Sequence, residues 1–151
     1  MEIKIQNTFA KFKFSELMNF TYPKNERLKS KIIIGSLFSD GKSVSKYPLR
    51  LVYRQAEGNS EETTKVGVSV SKKYFKKAVD RNYFKRVLRE TYRLNKHLLL
   101  DNLDQPYSIM LFYQTKDRLS YEEINTKMIQ LFEKFSLQIN KTEESEKKSE
   151  S

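Results

Sequence analysis

The chain has no cysteine and a single histidine, which together exclude disulfide frameworks, thiolate metal sites, cysteine nucleophiles and histidine-based metal clusters. It has no Gly-rich phosphate loop of the form GxxxxGK[ST]. Long hydrophobic runs are also missing: the longest, such as Ile109 to Tyr113, stop far short of the roughly eighteen residues of a membrane span. The opening MEIKIQNTFAKFKF lacks a continuous apolar stretch and a small-residue cleavage site, so no secretory signal and no membrane partner are expected, and the chain is assigned to the cytoplasm. Carboxylates that could hold hard metal ions are scarce. Asp80 lies among basic residues, Asp101 and Asp104 fall in an expected turn, and His97 stands near a helix C-terminus, where it caps carbonyls. No catalytic residue, no protein-held metal and no small-molecule substrate are therefore expected.

What the chain has in excess is positive charge. Twenty-nine Lys and Arg face nineteen Asp and Glu, a net charge of +10 over 151 residues. That length suits one domain with a real core, and the charge favours an anionic partner, nucleic acid first. Residues 1–20 read as an N-terminal extension, with Met18 a second plausible start. Residues 21–139 form the body. Residues 140–151 (NKTEESEKKSES) carry no apolar side chain, and are expected to form a disordered charged tail because burial cannot offset their ordering entropy.

Within the body, Ser30 is placed to cap a short helix through Phe38, in which Ile34, Leu37 and Phe38 share a face and Gly41 ends the following turn. The β-branched run Ile32 to Ile34 and Gly35 would by propensity alone favour a strand there. Leu49 to Arg54 and Lys65 to Ser71 alternate with period two as half-buried strands, joined by the polar EGNSEETT as a hairpin connection. A long helix is expected from about Lys76 to Leu99, and Pro106 precedes an apolar strand, Tyr107 to Tyr113. Ser120 caps a last helix with a buried stripe of Ile124, Met128, Leu131, Phe132 and Phe135. The expected order is helix, strand, strand, long helix, strand, helix.

From Lys72 to His97 ten basic residues (Lys72, Lys73, Lys76, Lys77, Arg81, Lys85, Arg86, Arg89, Arg93, Lys96) stand against Asp80 and Glu90. Wound at roughly 100° per residue, Arg81, Lys85, Arg89, Asn82, Arg93 and Arg86 fall within an arc of roughly 140°, with Phe84, Val87, Leu88, Thr91, Leu94 and Leu98 opposite. Like charges at i and i+4 cost a few tenths of a kcal/mol per pair, and a polyanion laid along the face offsets that cost. A basic helix face is more often simply solvated, but such faces normally interleave acids, and here there are too few. Asn82 has two readings, a bond to a base edge, a phosphate or a metal-bound water, or a local hydrogen bond on the helix surface. Gly67, Ser69 and Ser71 make a polar strand face that is either solvated or flat enough for a single strand to approach. Phe38 and Tyr53 either stack on unpaired bases or pack in the core.

The run SVSKKYFKKAVDRNYFKRVLRETYRLNKHL resembles the protein subunit of bacterial ribonuclease P, through Ser71-Lys72-Lys73, Ala78-Val79, Arg81-Asn82, Lys85-Arg86 and Arg89-Glu90 in the order of that family's basic "RNR" helix. The likeness extends from about Tyr22 to about Phe135. It implies an α+β fold, a two-layer α/β sandwich like domain 2 of ribosomal protein S5, with a left-handed crossover through the basic helix; right-handed crossovers are the general rule. It also implies a noncatalytic subunit whose partners are the catalytic RNA and precursor tRNA, with Mg2+ bound mainly by the RNA. Lys72, Lys73, Arg81, Asn82, Lys85, Arg86 and Arg89 would face the catalytic RNA, and Ile34, Phe38 and Tyr53 would line a cleft for the 5′ leader of the substrate. Two positions depart from the family pattern: Tyr83 stands where the third "RNR" residue is basic, and Ile34 where an aromatic is frequent. The strand aromatic of the cleft corresponds to Tyr53 or, by a one-residue shift, to Val52. A general RNA-binding or ribosome-associated module without a cleavage partner is the alternative.

Overall fold

The computed structural model describes residues 21–56 and 63–150. Ser30 caps helix α1 (Lys31–Asp40), accepting a hydrogen bond from the Ile33 amide, and Gly41 closes it through its amide on the Leu37 carbonyl. The strands are β1 (Lys42–Lys46), β2 (Leu49–Gln55), β3 (Lys65–Val70) and β4 (Tyr107–Tyr113); α2 (Ala78–Leu100) joins β3 to β4, and α3 (Tyr121–Glu150) follows. The sheet order is β1-β2-β4-β3, with β1 to β2 and β2 to β4 antiparallel and β3 to β4 parallel. Helices α2 and α3 lie on one face and α1 crosses part of the other, giving the α+β fold that the resemblance implies.

Side-chain parity along the strands decides which face each residue serves. Leu49, Leu51, Tyr53, Val66, Val70, Ile109, Leu111 and Tyr113 point to the main core, where they meet Phe84, Leu88 and Tyr92 of α2 and Ile124, Met128, Leu131, Phe132 and Phe135 of α3. The expected α3 stripe is thus the buried one, and Ser120 accepts from the Glu123 amide as its cap. The second face carries a smaller cluster of Leu28, Leu37, Val52 and Met110 beneath α1. The β-branched start of α1 is helical against its propensity because the cap at Ser30 and the seating of Leu37 on this cluster favour a helix.

Four expectations are corrected. Strand β1 takes the place of a plain turn after α1; its single buried apolar residue, Val44, left almost no periodic signal, and its pairing with Leu51 is what makes it a strand. β2 and β3 do not form a hairpin, because β4 inserts between them. Helix α3 continues to Glu150 where a disordered tail was expected, since extending a helix already nucleated by packing costs far less than starting one. Gly67 is not an open landing strip: an added Cβ would stand 2.5 Å from the Met110 sulfur and 3.1 Å from the Leu28 carbonyl oxygen. The residues 22–28 run over it, tied down by the Leu28 amide and the Tyr22 hydroxyl, which both donate to the Val66 carbonyl. The N-terminal extension (1–20) lies outside the described residues.

Candidate nucleic-acid interface

The β3–α2 loop and the first three turns of α2 form one basic surface. Lys72, Lys73, Lys76, Lys77, Asn82, Arg86 and Arg89 are exposed and Lys85 is half-buried. The loop is held in shape by its own backbone: the Tyr74 and Phe75 amides donate to the Ser71 carbonyl, and the Lys73 amide to the Ser71 hydroxyl. Phe75 anchors it, stacking on Phe84 at 4.7 Å, and Phe84 stacks on Tyr113 at 4.7 Å, so loop, helix and sheet share one aromatic column. Arg81 braces the same loop by donating to the carbonyls of Phe75 (2.9 Å) and Lys76 (2.7 Å). Its guanidinium is thus turned toward the chain's own backbone, not displayed with the others.

Further along α2 the basic face closes. Arg93 pairs with Glu90 at 2.5 Å, and the hydrogen bond from Arg93 lowers the Glu90 carboxyl pKa. Lys96 is 4% exposed and donates to Glu26 at 3.0 Å, fastening α2 to the turn at Lys24–Glu26. It is a structural cation, one of the ten basic residues between Lys72 and His97 but outside the basic arc. Among the described residues no ion pair holds Lys72, Lys73, Lys85, Arg86 or Arg89, so their charge is available to phosphates.

On the second sheet face, Phe38 stands 66% exposed with its ring 5.7 Å from that of Phe112 on β4. Arg50, paired in register with Phe112, is exposed beside it. A cleft of about 200 Å³ continues along α1, lined by Ile33 and Ser36 on the helix and by Arg54, Lys65 and Ser108 on the sheet. Ile34 is half-buried against the cluster beneath α1.

Tyr53 is elsewhere. It is 4% exposed on the opposite face, edge-on to Phe135 at 4.9 Å, and its hydroxyl meets the Gln138 amide nitrogen at 2.6 Å. Burial pushes its pKa up. Of the two registers left open by the sequence, Val52 is the residue on the α1 face, and it lies beneath the helix. Among the described residues, the strand aromatic on the α1 face is Phe112, beside Phe38. Sequence reading missed it because Tyr107 to Tyr113 is apolar at both parities, and only pairing with β2 assigns the faces. Among the described residues, no three His, Asp or Glu side chains converge where a metal ion could be held.

The sequence pattern of the Ribonuclease P family matches residues 22–136. The ribonuclease P protein component of Porphyromonas gingivalis is 44% identical over 102 residues, 66% of this chain and 74% of that protein. The chain belongs to the ribonuclease P protein component family. The corresponding protein of Clostridium novyi is 32% identical over 115 residues, covering 76% of this chain and 96% of that one. A solved structure of a Staphylococcus aureus RNase P protein, a mutant with defective mRNA degradation activity, superposes with a TM-score of 0.60 at 25% identity, over 85% of this chain and 95% of that one. Membership makes the chain a subunit of an endoribonuclease of tRNA processing, with RNA as its partner. No described helix is long and apolar enough to cross a membrane.

Proposed function

We propose that this chain is the noncatalytic subunit of a cytoplasmic ribonucleoprotein. It holds the catalytic RNA of ribonuclease P on the β3–α2 loop and α2, and the 5′ leader of precursor tRNA along the cleft between α1 and the sheet. The observation that carries this reading is the uncompensated basic surface of Lys72, Lys73, Lys85, Arg86 and Arg89, within the segment that matches the family. Lysine and arginine set against successive phosphates release counterions and lower the repulsion between two RNAs that must come together. Phe38 and Phe112 offer ring faces to unpaired bases, and Arg50 and Lys65 offer cations to the intervening phosphates.

In this reading Mg2+ is bound mainly by the RNA, where it supplies the Lewis-acid chemistry of phosphodiester hydrolysis. The chain's own residues do the rest: they hold the leader, favour the precursor over the mature tRNA, and place positive charge where RNA strands converge.

The test is cleavage of a 5′-extended precursor tRNA at low Mg2+ by the protein alone, by a bacterial ribonuclease P RNA alone, and by both. Cleavage at the mature 5′ end only by the pair is the expected result. Cleavage by the protein alone would overturn the noncatalytic role, and failure to stimulate the RNA would assign the basic surface to a different RNA.

A further inference from the structure

Tyr83 lies in the middle of the basic surface of α2, between Asn82 and Arg86, and is 48% exposed. A large aromatic at such a position is a cost in water unless a partner covers it. Val79, one turn earlier, is 79% exposed, so the apolar strip extends along the helix. The ring is also not alone. Arg118, from the segment between β4 and α3, brings its guanidinium carbon to 5.9 Å from the Tyr83 centroid and 5.3 Å from that of Phe84. One guanidinium nitrogen of Arg118 donates to the Asp80 carboxylate at 3.0 Å, while more than half of the Arg118 side chain stays open to solvent. Asp80 is thus the post that holds an arginine from a distant part of the chain against an exposed tyrosine, on the face where the other cations stand free.

Resting on the ribonuclease P reading above, we infer that Tyr83 and Arg118 form a seat for one unpaired nucleotide of the catalytic RNA, the base stacking on the tyrosine ring and the phosphate meeting the arginine. An aromatic face accepts any base, and a planar guanidinium suits both the ring and a phosphate. The segment between β4 and α3 thereby becomes a third RNA-contacting element, beside the β3–α2 loop and α2.

The experiment titrates the full chain against an in vitro transcript of a bacterial ribonuclease P RNA at several salt concentrations, with thermal unfolding of each variant as a folding control. Tyr83→Ala is expected to weaken binding roughly 5- to 100-fold while leaving the slope of log K against log salt unchanged, because stacking releases no counterion. Tyr83→Phe is expected to bind as the parent does, since the ring and not the hydroxyl is used. Arg118→Ala is expected to reduce the magnitude of the slope by about 0.7 to 0.9, the value for one phosphate contact. Parent-like affinity in Tyr83→Ala, or a parent-like slope in Arg118→Ala, overturns the inference. Arg86→Ala and Arg89→Ala separate its failure from that of the underlying reading. If they weaken binding and Tyr83→Ala does not, only the nucleotide seat is lost; if none of the variants changes binding, the basic surface is not the RNA interface and both fall.

Discussion

Two arginines five residues apart on α2, Arg81 and Arg86, both fall within the basic arc of the helical wheel and are not equivalent in the fold. Arg86 is exposed, while Arg81 donates to two loop carbonyls. Arg86→Ala should reduce the magnitude of the salt slope of RNA binding by about 0.7 to 0.9 and change stability by less than about 0.5 kcal/mol. Arg81→Ala should lower stability by about 1 to 3 kcal/mol in denaturant titration, because charge-assisted hydrogen bonds to the loop are lost. Equal stability of the two variants would remove the bracing role. At the cleft, Phe38→Ala should reduce discrimination between precursor and mature tRNA with little change in melting temperature, since two-thirds of the residue is open to solvent. A fall in melting temperature with unchanged discrimination would make Phe38 a packing residue. Tyr53, by contrast, has the residue type for stacking, and strand parity places it in the main core.

At the scale of elements, α2 is divided along its length. Its first turns display charge, and its later turns fasten the helix to the turn at Lys24–Glu26 through the buried Lys96–Glu26 pair. Breaking that pair by Lys96→Ala leaves a largely buried carboxylate without its cation and should cost about 3 to 5 kcal/mol in unfolding free energy. The double change Lys96→Met with Glu26→Leu should recover most of that loss, because an apolar pair of similar volume carries no desolvation penalty. The RNA salt slope should be the parent's in the double variant; a shallower slope would return Lys96 to the phosphate contacts. The strip of chain over β3 depends on Gly67 in the same way. Gly67→Ala would drive its new Cβ into Met110 and the Leu28 backbone, and should loosen the N-terminal strap as measured by amide exchange at Leu28.

At the scale of the whole molecule, two tyrosines between the strap and α2 are expected to set an alkaline limit. Burial pushes Tyr22 up to about 12, against the lowering effect of Arg27 and Arg89, and burial with help from Glu26 raises Tyr92 as well. Both groups favour the proton in the folded state, so the stability they contribute is complete below about pH 10, where unfolded tyrosine titrates, and is lost as pH rises toward 12. Absorbance titration at 295 nm should show Tyr22 and Tyr92 ionising after the exposed tyrosines, together with loss of helical circular dichroism. Tyr22→Phe should remove part of that late step without shifting the earlier ones. If instead all nine tyrosines titrate near pH 10 with the helices intact, burial at Tyr22 and Tyr92 is not what limits the fold.

Features that depend on near neighbours along the chain are legible without the fold: the caps at Ser30 and Ser120, the α3 stripe, the long helix with charge on one side, and the motif around Arg81 to Glu90 that carries the family resemblance. Those are read correctly because helix periodicity and capping are local physics. Tertiary structure alone decided what depends on pairing at long range. Insertion of β4 between β2 and β3 sent Tyr53 to the core and Phe112 to the cleft, since a strand's two faces exchange with a shift of one residue. Packing likewise sorted the cations of α2 into displayed, bracing and buried ones, and brought Arg118 against Tyr83 across thirty-five positions of sequence. No periodicity reports such a meeting, because it is set by where the sheet places the ends of its strands.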